Sequence, residues 1–226
     1  MAVTATVRDE LPVAGRLRLT EIFFSLQGEG LTAGVPTVFV RLTGCPLRCR
    51  YCDTAYAFTG GDWWGYGEII ERVGEWPARH ICVTGGEPLA QPNCLGLLSA
   101  LCDAGYEVSL ETSGALDIAG VDERVSRVLD IKTPGSGEAK RNLWENVALL
   151  TPRDQVKFVI CDRRDFDWTL ERIERHALAG RCPVFLSPSW GEVEPGELAD
   201  WILAARAPVR LQLQLHKVLW GDVPGR

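Results

Sequence analysis

No stretch of the chain approaches the ~20 consecutive apolar residues that a bilayer-spanning helix requires. The opening MAVTATVRDELPVAGRLR mixes charges with small residues where a secretory signal would carry an apolar core. These two absences point to a cytosolic protein with no membrane partner. A cationic excess is missing as well. Lys and Arg number 24 against 30 Asp and Glu, for a formal net charge of −6. The chain therefore carries no general electrostatic footprint for nucleic acid or anionic lipid, and an anionic ligand must be met by local cations. No internal repeat and no low-complexity tract appear, which excludes solenoids and propellers. The last absence is the most telling, because the metal motif described next lacks a fourth ligand.

That motif is Cys45-Pro46-Leu47-Arg48-Cys49-Arg50-Tyr51-Cys52. CxxxCxxC spacing offers three thiolates to one metal centre. A four-iron cluster with three protein ligands keeps one iron open, whereas a structural zinc site is normally closed. A zinc knuckle completed from elsewhere, for instance by His80, fits the spacing too. The other five of the eight cysteines, Cys82, Cys94, Cys102, Cys161 and Cys182, stand singly in or beside apolar stretches. They read as small buried hydrophobes rather than halves of disulfides.

Apolar β-branched runs at 37–42, 80–84, 106–110, 128–131, 155–160, 183–186 and 209–213 alternate with helix candidates near 66–76, 91–104, 138–149, 165–179 and 194–206. In 165–179, Phe166, Leu170, Ile173, Ala177 and Leu178 share one face, and Gly180 is placed to end the helix. Thr59-Gly60-Gly61-Asp62 reads as a surface loop, and a strand or hairpin is expected around Leu17–Leu26. Strand-then-helix order predicts a parallel α/β sheet with right-handed crossovers. About six such units predict a single domain over 1–226, an incomplete (β/α)6-type barrel with an N-terminal strand or hairpin extension and a peripheral segment at 1–16.

Such sheets gather ligand sites at the carboxyl ends of their strands. The cysteine loop begins at one such end. The next strand ends in Thr84-Gly85-Gly86-Glu87-Pro88, where two glycines permit close backbone approach to a ligand, Glu87 offers a carboxylate and Pro88 stiffens the exit. Glu111-Thr112-Ser113-Gly114, Asp130-Ile131-Lys132 and Ser187-Pro188-Ser189 add polar groups at further strand ends. Lys132 stands out, since a lysine ending an apolar strand needs a partner.

CxxxCxxC with Tyr51 just before its last cysteine, followed one strand later by GGEP, resembles the radical S-adenosylmethionine (SAM) superfamily, over nearly the whole chain. The resemblance implies a 4Fe-4S cluster on Cys45, Cys49 and Cys52 whose open iron is chelated by SAM. It implies that Tyr51, Cys52 and Asp53 lie against the adenine and that Gly85, Gly86 and Glu87 contact the amino group. Ser113, Asp130, Lys132 and Ser187 would hold the ribose or the carboxylate. Reductive cleavage of SAM gives methionine and a 5′-deoxyadenosyl radical, chemistry that belongs to the cofactor and that the protein aims and shields.

Three further features narrow the resemblance: Ser25-Leu26-Gln27-Gly28-Glu29-Gly30, the Asp53-Thr54 pair after Cys52, and Gln214-Leu215-His216-Lys217. Together they resemble the 7-carboxy-7-deazaguanine synthase family of queuosine and 7-deazapurine biosynthesis. That family converts 6-carboxy-5,6,7,8-tetrahydropterin to 7-carboxy-7-deazaguanine with loss of ammonia, by hydrogen abstraction at C6 and a magnesium-assisted ring contraction. On this resemblance Leu26, Gln27 and Gly28 present a backbone edge to the pterin and Glu29 accepts from its ring N–H groups. Arg41 clamps its carboxylate, and Thr84 and His216, the latter at the end of the final strand, also face it. Thr54 ligates Mg2+, and Asp222 or the chain end supplies a further carboxylate. No side chain is expected to act as acid or base. A flavodoxin or ferredoxin would dock near the cysteine loop, and a homodimer is expected. The rival readings are an activase of glycyl-radical enzymes and a non-enzymatic zinc module.

Overall fold

The computed structural model describes residues 15–221, 223 and 225. In chain order its elements are β1 (Arg16–Leu26), β2 (Pro36–Leu42), β3 (Asp62–Gly65), α1 (Tyr66–Val73), β4 (His80–Gly85), α2 (Cys94–Asp103) and β5 (Glu107–Thr112). They continue through β6 (Ser126–Asp130), β7 (Gln155–Ile160), α3 (Arg163–Arg175), β8 (Val184–Pro188), α4 (Pro195–Ala205), β9 (Arg210–Leu211) and α5 (Leu215–Trp220). All these strands form one open sheet in the order β3-β1-β2-β4-β5-β6-β7-β8-β9. From β2 to β9 the neighbours are parallel, whereas β1 pairs antiparallel with both β2 and β3. The architecture is thus a partial α/β barrel with an N-terminal strand extension, as the alternation of patterns predicts.

Period-two alternation divides each strand between two environments. Val38, Val40, Ile81, Val83, Leu110, Val156, Phe158 and Leu186 lie on the helix-covered face, in a continuous apolar core with Leu97, Leu98, Leu101, Phe166 and Leu198. Each of these fully buried large side chains contributes about 1.5–3 kcal/mol by leaving water. The intervening positions Arg41, Thr84, Glu111, Asp130, Lys157 and Ser187 line the concave face. Parallel strands buried on both faces are normally apolar throughout. Polar residues at alternate positions therefore mark an interior shaped for a ligand.

Several expected elements come out differently. Residues 138–149 form no α-helix but short 3-10 turns at Ala139–Arg141 and Trp144–Leu149, after another at Pro134–Ser136. Side chains there compete with the helix for backbone partners: Asn142 accepts from Lys132 N–H (2.9 Å) and donates to Lys132 O (2.8 Å), and Asn146 donates to Leu116 O (2.8 Å). Helix α3, capped by Asp162 accepting from Asp165 N–H, stops at Arg175 rather than near Gly180. His176 stacks on Trp144 with centroids 4.2 Å apart, and Ala177 turns left-handed at φ 50°, which ends the α-helix four residues before the expected end at 179. The last strand keeps only Arg210–Leu211; residues 212–214 are irregular and Leu215–Trp220 fold as α5. Asp62, read as loop, opens the short strand β3. Among the described residues no helix is long and apolar enough to cross a membrane.

Candidate active site

The concave face holds a cavity of about 460 Å³, and Cys45, Cys49 and Cys52 share one of its walls. Their placement depends on the two glycines of β4 and its exit. A Cβ on Gly85, which sits at φ +150°, would lie 2.2 Å from Leu42 O, and one on Gly86 would lie 2.2 Å from Gly44 O. Without side chains the two strand ends are stitched together, Gly86 N–H donating to Leu42 O (3.1 Å) and Glu87 N–H to Gly44 O (2.8 Å). The close approach that glycine permits is thus made first to the protein's own cysteine loop. Burial pushes the Cys45 thiol up and the Cys49 thiol to about 11, with the Lys132 ammonium opposing in both. A metal centre binding here must displace these protons.

Residues expected to hold SAM largely meet on this wall. Tyr51, Cys52, Asp53, Gly85, Gly86, Ser113, Asp130, Lys132 and Ser187 all line the cavity. Three buried polar atoms on it, Tyr51 OH, Asp130 Oδ1 and Ser189 Oγ, have no hydrogen-bond partner. Lys132 Nζ lies 3.0 Å from Asp130 Oδ1 as an ion pair without hydrogen-bond geometry, and 5.8 Å from the Tyr51 ring centroid. An unpaired buried polar atom costs about 1–3 kcal/mol. Tyr51 OH and Ser189 Oγ stand unpaired on a wall that the Lys132–Asp130 ion pair makes strongly polar, and this donor set fits a polar cofactor. Despite burial, Lys132 and Lys157 hold the Asp130 carboxyl below its usual range.

Glu87 is placed differently from expectation. It is fully buried, and its carboxylate accepts from Thr112 Oγ1 (2.8 Å), Ser113 N–H (2.7 Å), Ser113 Oγ and Leu89 N–H (3.0 Å). It anchors the β5 exit from beneath rather than lining the cavity. Ser113 reaches the wall, but with its hydroxyl turned to Glu87.

The facing wall brings together Leu26, Gln27, Gly28, Glu29, Arg41, Thr84 and His216. Glu29 receives Lys157 Nζ (2.6 Å), Gln212 Nε2 (2.9 Å) and Gln214 Nε2 (2.9 Å). Arg41 is pinned along its Nε edge by Glu21 (2.7 Å), which also accepts from Tyr56 OH (2.8 Å). Thr84 Oγ1 donates to Glu111 (2.9 Å). Part of the expected backbone edge is already engaged: Gln27 N–H donates to Val35 O, Gly34 N–H to Gln27 O, and Leu215 N–H to Gly28 O. His216 sits in the first turn of α5, not at a strand end. A Cβ on Gly28 would lie 2.1 Å from its Nδ1, so the glycine is what seats the imidazole. Burial lowers the His216 pKa against the pull of Glu29 and Asp53, leaving a neutral ring that donates from one nitrogen and accepts at the other.

Between the walls, Asp53 and Thr54 present hard oxygens beside Cys52, the donor type Mg2+ prefers. Thr54 Oγ1 donates to Asp53 (2.9 Å). Burial alone would raise the Asp53 carboxyl, but Lys217 Nζ at 2.9 Å holds it down to about 2. Asp222 lies outside the described residues, while its neighbour Val223 lines the cavity.

Lys157 and Trp190 line the cavity without having been anticipated, as do Glu111, Gln214 and Lys217, which stood within the sequence motifs but were assigned no ligand of their own. Lys157 links the walls, with Nζ 2.6 Å from Glu29 and 3.2 Å from Asp130. The signal for it and for Glu111 was available: each is a charge at an alternate position of an apolar strand, as Arg41 is. His80 opens β4 at the end opposite the cysteine loop and pairs with Glu107 (3.1 Å). Six residues of strand, about 16 Å, separate it from Gly85, so it cannot complete a zinc site on Cys45.

A sequence profile described as the radical SAM superfamily matches residues 39–184, a span that takes in the cysteine loop and the parallel strands from within β2 to the start of β8. The chain therefore belongs to the radical SAM enzymes, whose cofactors are a 4Fe-4S cluster and SAM. It is 46% identical over 207 residues to a 7-carboxy-7-deazaguanine synthase of Chlorobaculum tepidum, covering 90% of this chain and 94% of that protein. To one of Koribacter versatilis it is 40% identical over 219 residues, covering 90% and 97%. Within the superfamily, then, the chain belongs to the 7-carboxy-7-deazaguanine synthase family of lyases. The fold agrees: the structure of QueE from Escherichia coli matches with a TM-score of 0.73 at 24% identity, over 89% of this chain and 95% of that one. Streptococcus suis SuiB bound to S-adenosylmethionine shares the fold more loosely, at TM-score 0.55 and 12% identity over 76% of this chain and 48% of that one. Family membership sets aside the zinc module and the glycyl-radical activase.

Proposed function

We propose that residues 1–226 act as one catalytic unit converting 6-carboxy-5,6,7,8-tetrahydropterin to 7-carboxy-7-deazaguanine with release of ammonia. The observation that carries this reading is a single cavity with three cysteines on one wall and Gln27, Glu29, Arg41 and His216 on the other. Its volume, about 460 Å³, lies in the range of sites that enclose small ligands.

When bound on Cys45, Cys49 and Cys52, the 4Fe-4S cluster together with SAM supplies a hydrogen-abstracting 5′-deoxyadenosyl radical. Tyr51, Gly85, Gly86, Ser113, Asp130, Lys132 and Ser187 hold and orient the cofactor, and Ser189 joins them. Glu29, its oxygens set by Lys157 and the two glutamines, accepts from the pterin ring. Arg41 meets the substrate carboxylate with a guanidinium that Glu21 keeps from rotating, which favours the hydrogen at C6 as the one removed. Neutral His216 and Thr84 add hydrogen bonds, Asp222 contributes a further carboxylate, and Thr54, with Asp53 beside it, offers oxygens to Mg2+.

A flavodoxin or ferredoxin in the cytoplasm delivers the electron. The exposed apolar side chains Leu211, Leu213, Val218 and Leu219, beside the two-residue edge strand β9, form the face of a homodimer.

The test is anaerobic reconstitution of the full chain, which should give near four irons and matching sulfide per chain, followed by incubation with reductant, SAM, Mg2+ and 6-carboxytetrahydropterin. Product of the mass of 7-carboxy-7-deazaguanine is expected from the native chain and none from Cys45→Ala. An intact cluster that cleaves SAM without forming this product would overturn the substrate assignment.

A further inference from the structure

We infer that Tyr56 is a positioning residue that makes the substrate clamp selective for a carboxylate: acting with Glu21 and Phe23, it holds the Arg41 guanidinium in one orientation and leaves the terminal nitrogens for the ligand. The inference rests on the reading of Arg41 as the group that meets the pterin carboxylate.

The construction begins with a bulge. Leu19 faces Leu42 across β1 and β2, yet Glu21 faces Arg41, so β1 carries one extra residue between them. In unbroken register Glu21 would face Val40, a buried core position. The extra residue moves the side chains after it off the helix-covered face, where Leu17 and Leu19 lie, and onto the concave one. Phe23 then lines the cavity beside Arg41. Arg41 Nε donates to Glu21 Oε1 (2.7 Å), and its Cζ lies 5.6 Å from the centroid of the Phe23 ring. Phe23 is itself stacked on Phe39, with centroids 4.9 Å apart.

Tyr56 reaches this pair from a different part of the chain. It belongs to the 3-10 turn Ala55–Phe58 that follows Thr54. Ala57 in that turn is fully buried; its N–H donates to Thr54 O (2.9 Å) and its carbonyl accepts from Gly44 N–H (2.8 Å). On this anchored turn Tyr56 OH donates to Glu21 Oε1 (2.8 Å), the same oxygen that Arg41 Nε uses, and the ring centroid lies 5.9 Å from Arg41 Cζ. A single bond at Nε fixes one edge of a guanidinium but lets it swing about that contact. A second donor holding Glu21 and two rings within cation–π reach oppose the swing. The terminal nitrogens of Arg41 have no hydrogen-bond partner among the described residues, although the side chain is only 14% exposed. A planar fork fixed in this way matches a planar anion at two points. Tyr56 is 42% exposed, so it adds little to the core and can be substituted without unfolding the chain.

The experiment measures equilibrium binding of 6-carboxypterin and of pterin, planar analogues that differ only in the carboxylate. It uses the reconstituted holoenzyme with Mg2+ and S-adenosylhomocysteine, a thioether with no sulfonium to cleave, so that no turnover intervenes. The parent chain should prefer 6-carboxypterin by about tenfold or more. Tyr56→Phe, which keeps the ring, should weaken 6-carboxypterin binding about fivefold through the loosened Glu21. Tyr56→Leu should weaken it about tenfold or more, because the ring contact is lost as well. Pterin should bind all three chains equally, and their iron content should match. An unchanged preference for 6-carboxypterin in Tyr56→Leu, or equal loss of both analogues, would overturn the positioning role while leaving the pterin reading intact. A parent chain that binds neither analogue, or both alike, would remove the clamp on which the inference rests.

Discussion

Replacing Lys157 with methionine removes a cation that links the two walls of the cavity. Its ammonium lies 2.6 Å from Glu29 and 3.2 Å from Asp130, with the lysine side chain 14% exposed. Deleting one member of a buried ion pair typically costs about 3–5 kcal/mol, because the other charge is left unpaired. Here Gln212 and Gln214 still donate to Glu29 and Lys132 still faces Asp130, which places the loss near the lower end, about 3 kcal/mol. For a chain of this size that corresponds to a fall of roughly 6–12 °C in the unfolding midpoint.

The pH window of that loss follows from the two shifts. Lys157 is raised well above 10.5 in the fold, so its contribution is fully present below 10.5 and disappears as pH rises through the folded value. Asp130 is lowered from 3.8, so its contribution is present above 3.8 and disappears as pH falls through its folded value. The deficit of the variant should therefore be flat from about pH 4 to 10 and shrink below that. Calorimetry of the cluster-free chain across this range is the assay, and Glu29→Gln/Lys157→Met should recover part of the loss by removing one stranded carboxylate. A midpoint within about 1 °C of the parent chain at pH 7 would refute the reasoning, since even 1 kcal/mol moves it by about 2–4 °C.

Three other perturbations probe separate parts of the site. Gly86→Ala drives a Cβ to 2.2 Å from Gly44 O, so the cysteine loop must shift, and iron bound after reconstitution should drop well below that of the parent chain. Glu21→Ala frees the Nε edge of Arg41; loss of a hydrogen bond to a charged group predicts about a tenfold rise in KM for the pterin with little change in kcat. Lys217→Met removes the main group that holds Asp53 near 2 against burial, leaving only the Thr54 hydrogen bond and the Lys157 charge to oppose it. The Asp53 carboxyl should then titrate clearly higher than in the parent chain by carbon-13 NMR, and the stability of the native pair, present above 3.8 and lost as pH falls toward 2, should already be missing at pH 5.

Residues that act through local spacing were legible along the chain. Cys45, Cys49 and Cys52 stand within eight residues, and the glycines after β4 announce a close backbone approach. The charges at alternate positions of β2, β5 and β7 need only the period of a strand to be seen as inward-facing. What local reading could not supply was the object of each contact. Gly85 and Gly86 press on the cysteine loop, Glu87 turns down to Ser113, and residues 138–149 give their would-be helix to Asn142 and Asn146 holding neighbouring strand ends. In each case a tertiary partner outweighs a preference of a few tenths of a kcal/mol per residue.

By itself, then, the sequence determined the parallel α/β plan, the three-cysteine centre with its open position and the polar rim of strand ends, because all of these follow from periodicity and covalent spacing. Only the tertiary structure decided that Lys157 would bind Glu29 across 128 positions of chain, that Lys217 would hold Asp53, and that His216 would arrive on a helix against Gly28. Those pairings exist because curling the sheet brings strands β2 and β7 and the C-terminal helix around one cavity, where a charge withdrawn from water must find its opposite, however distant in sequence.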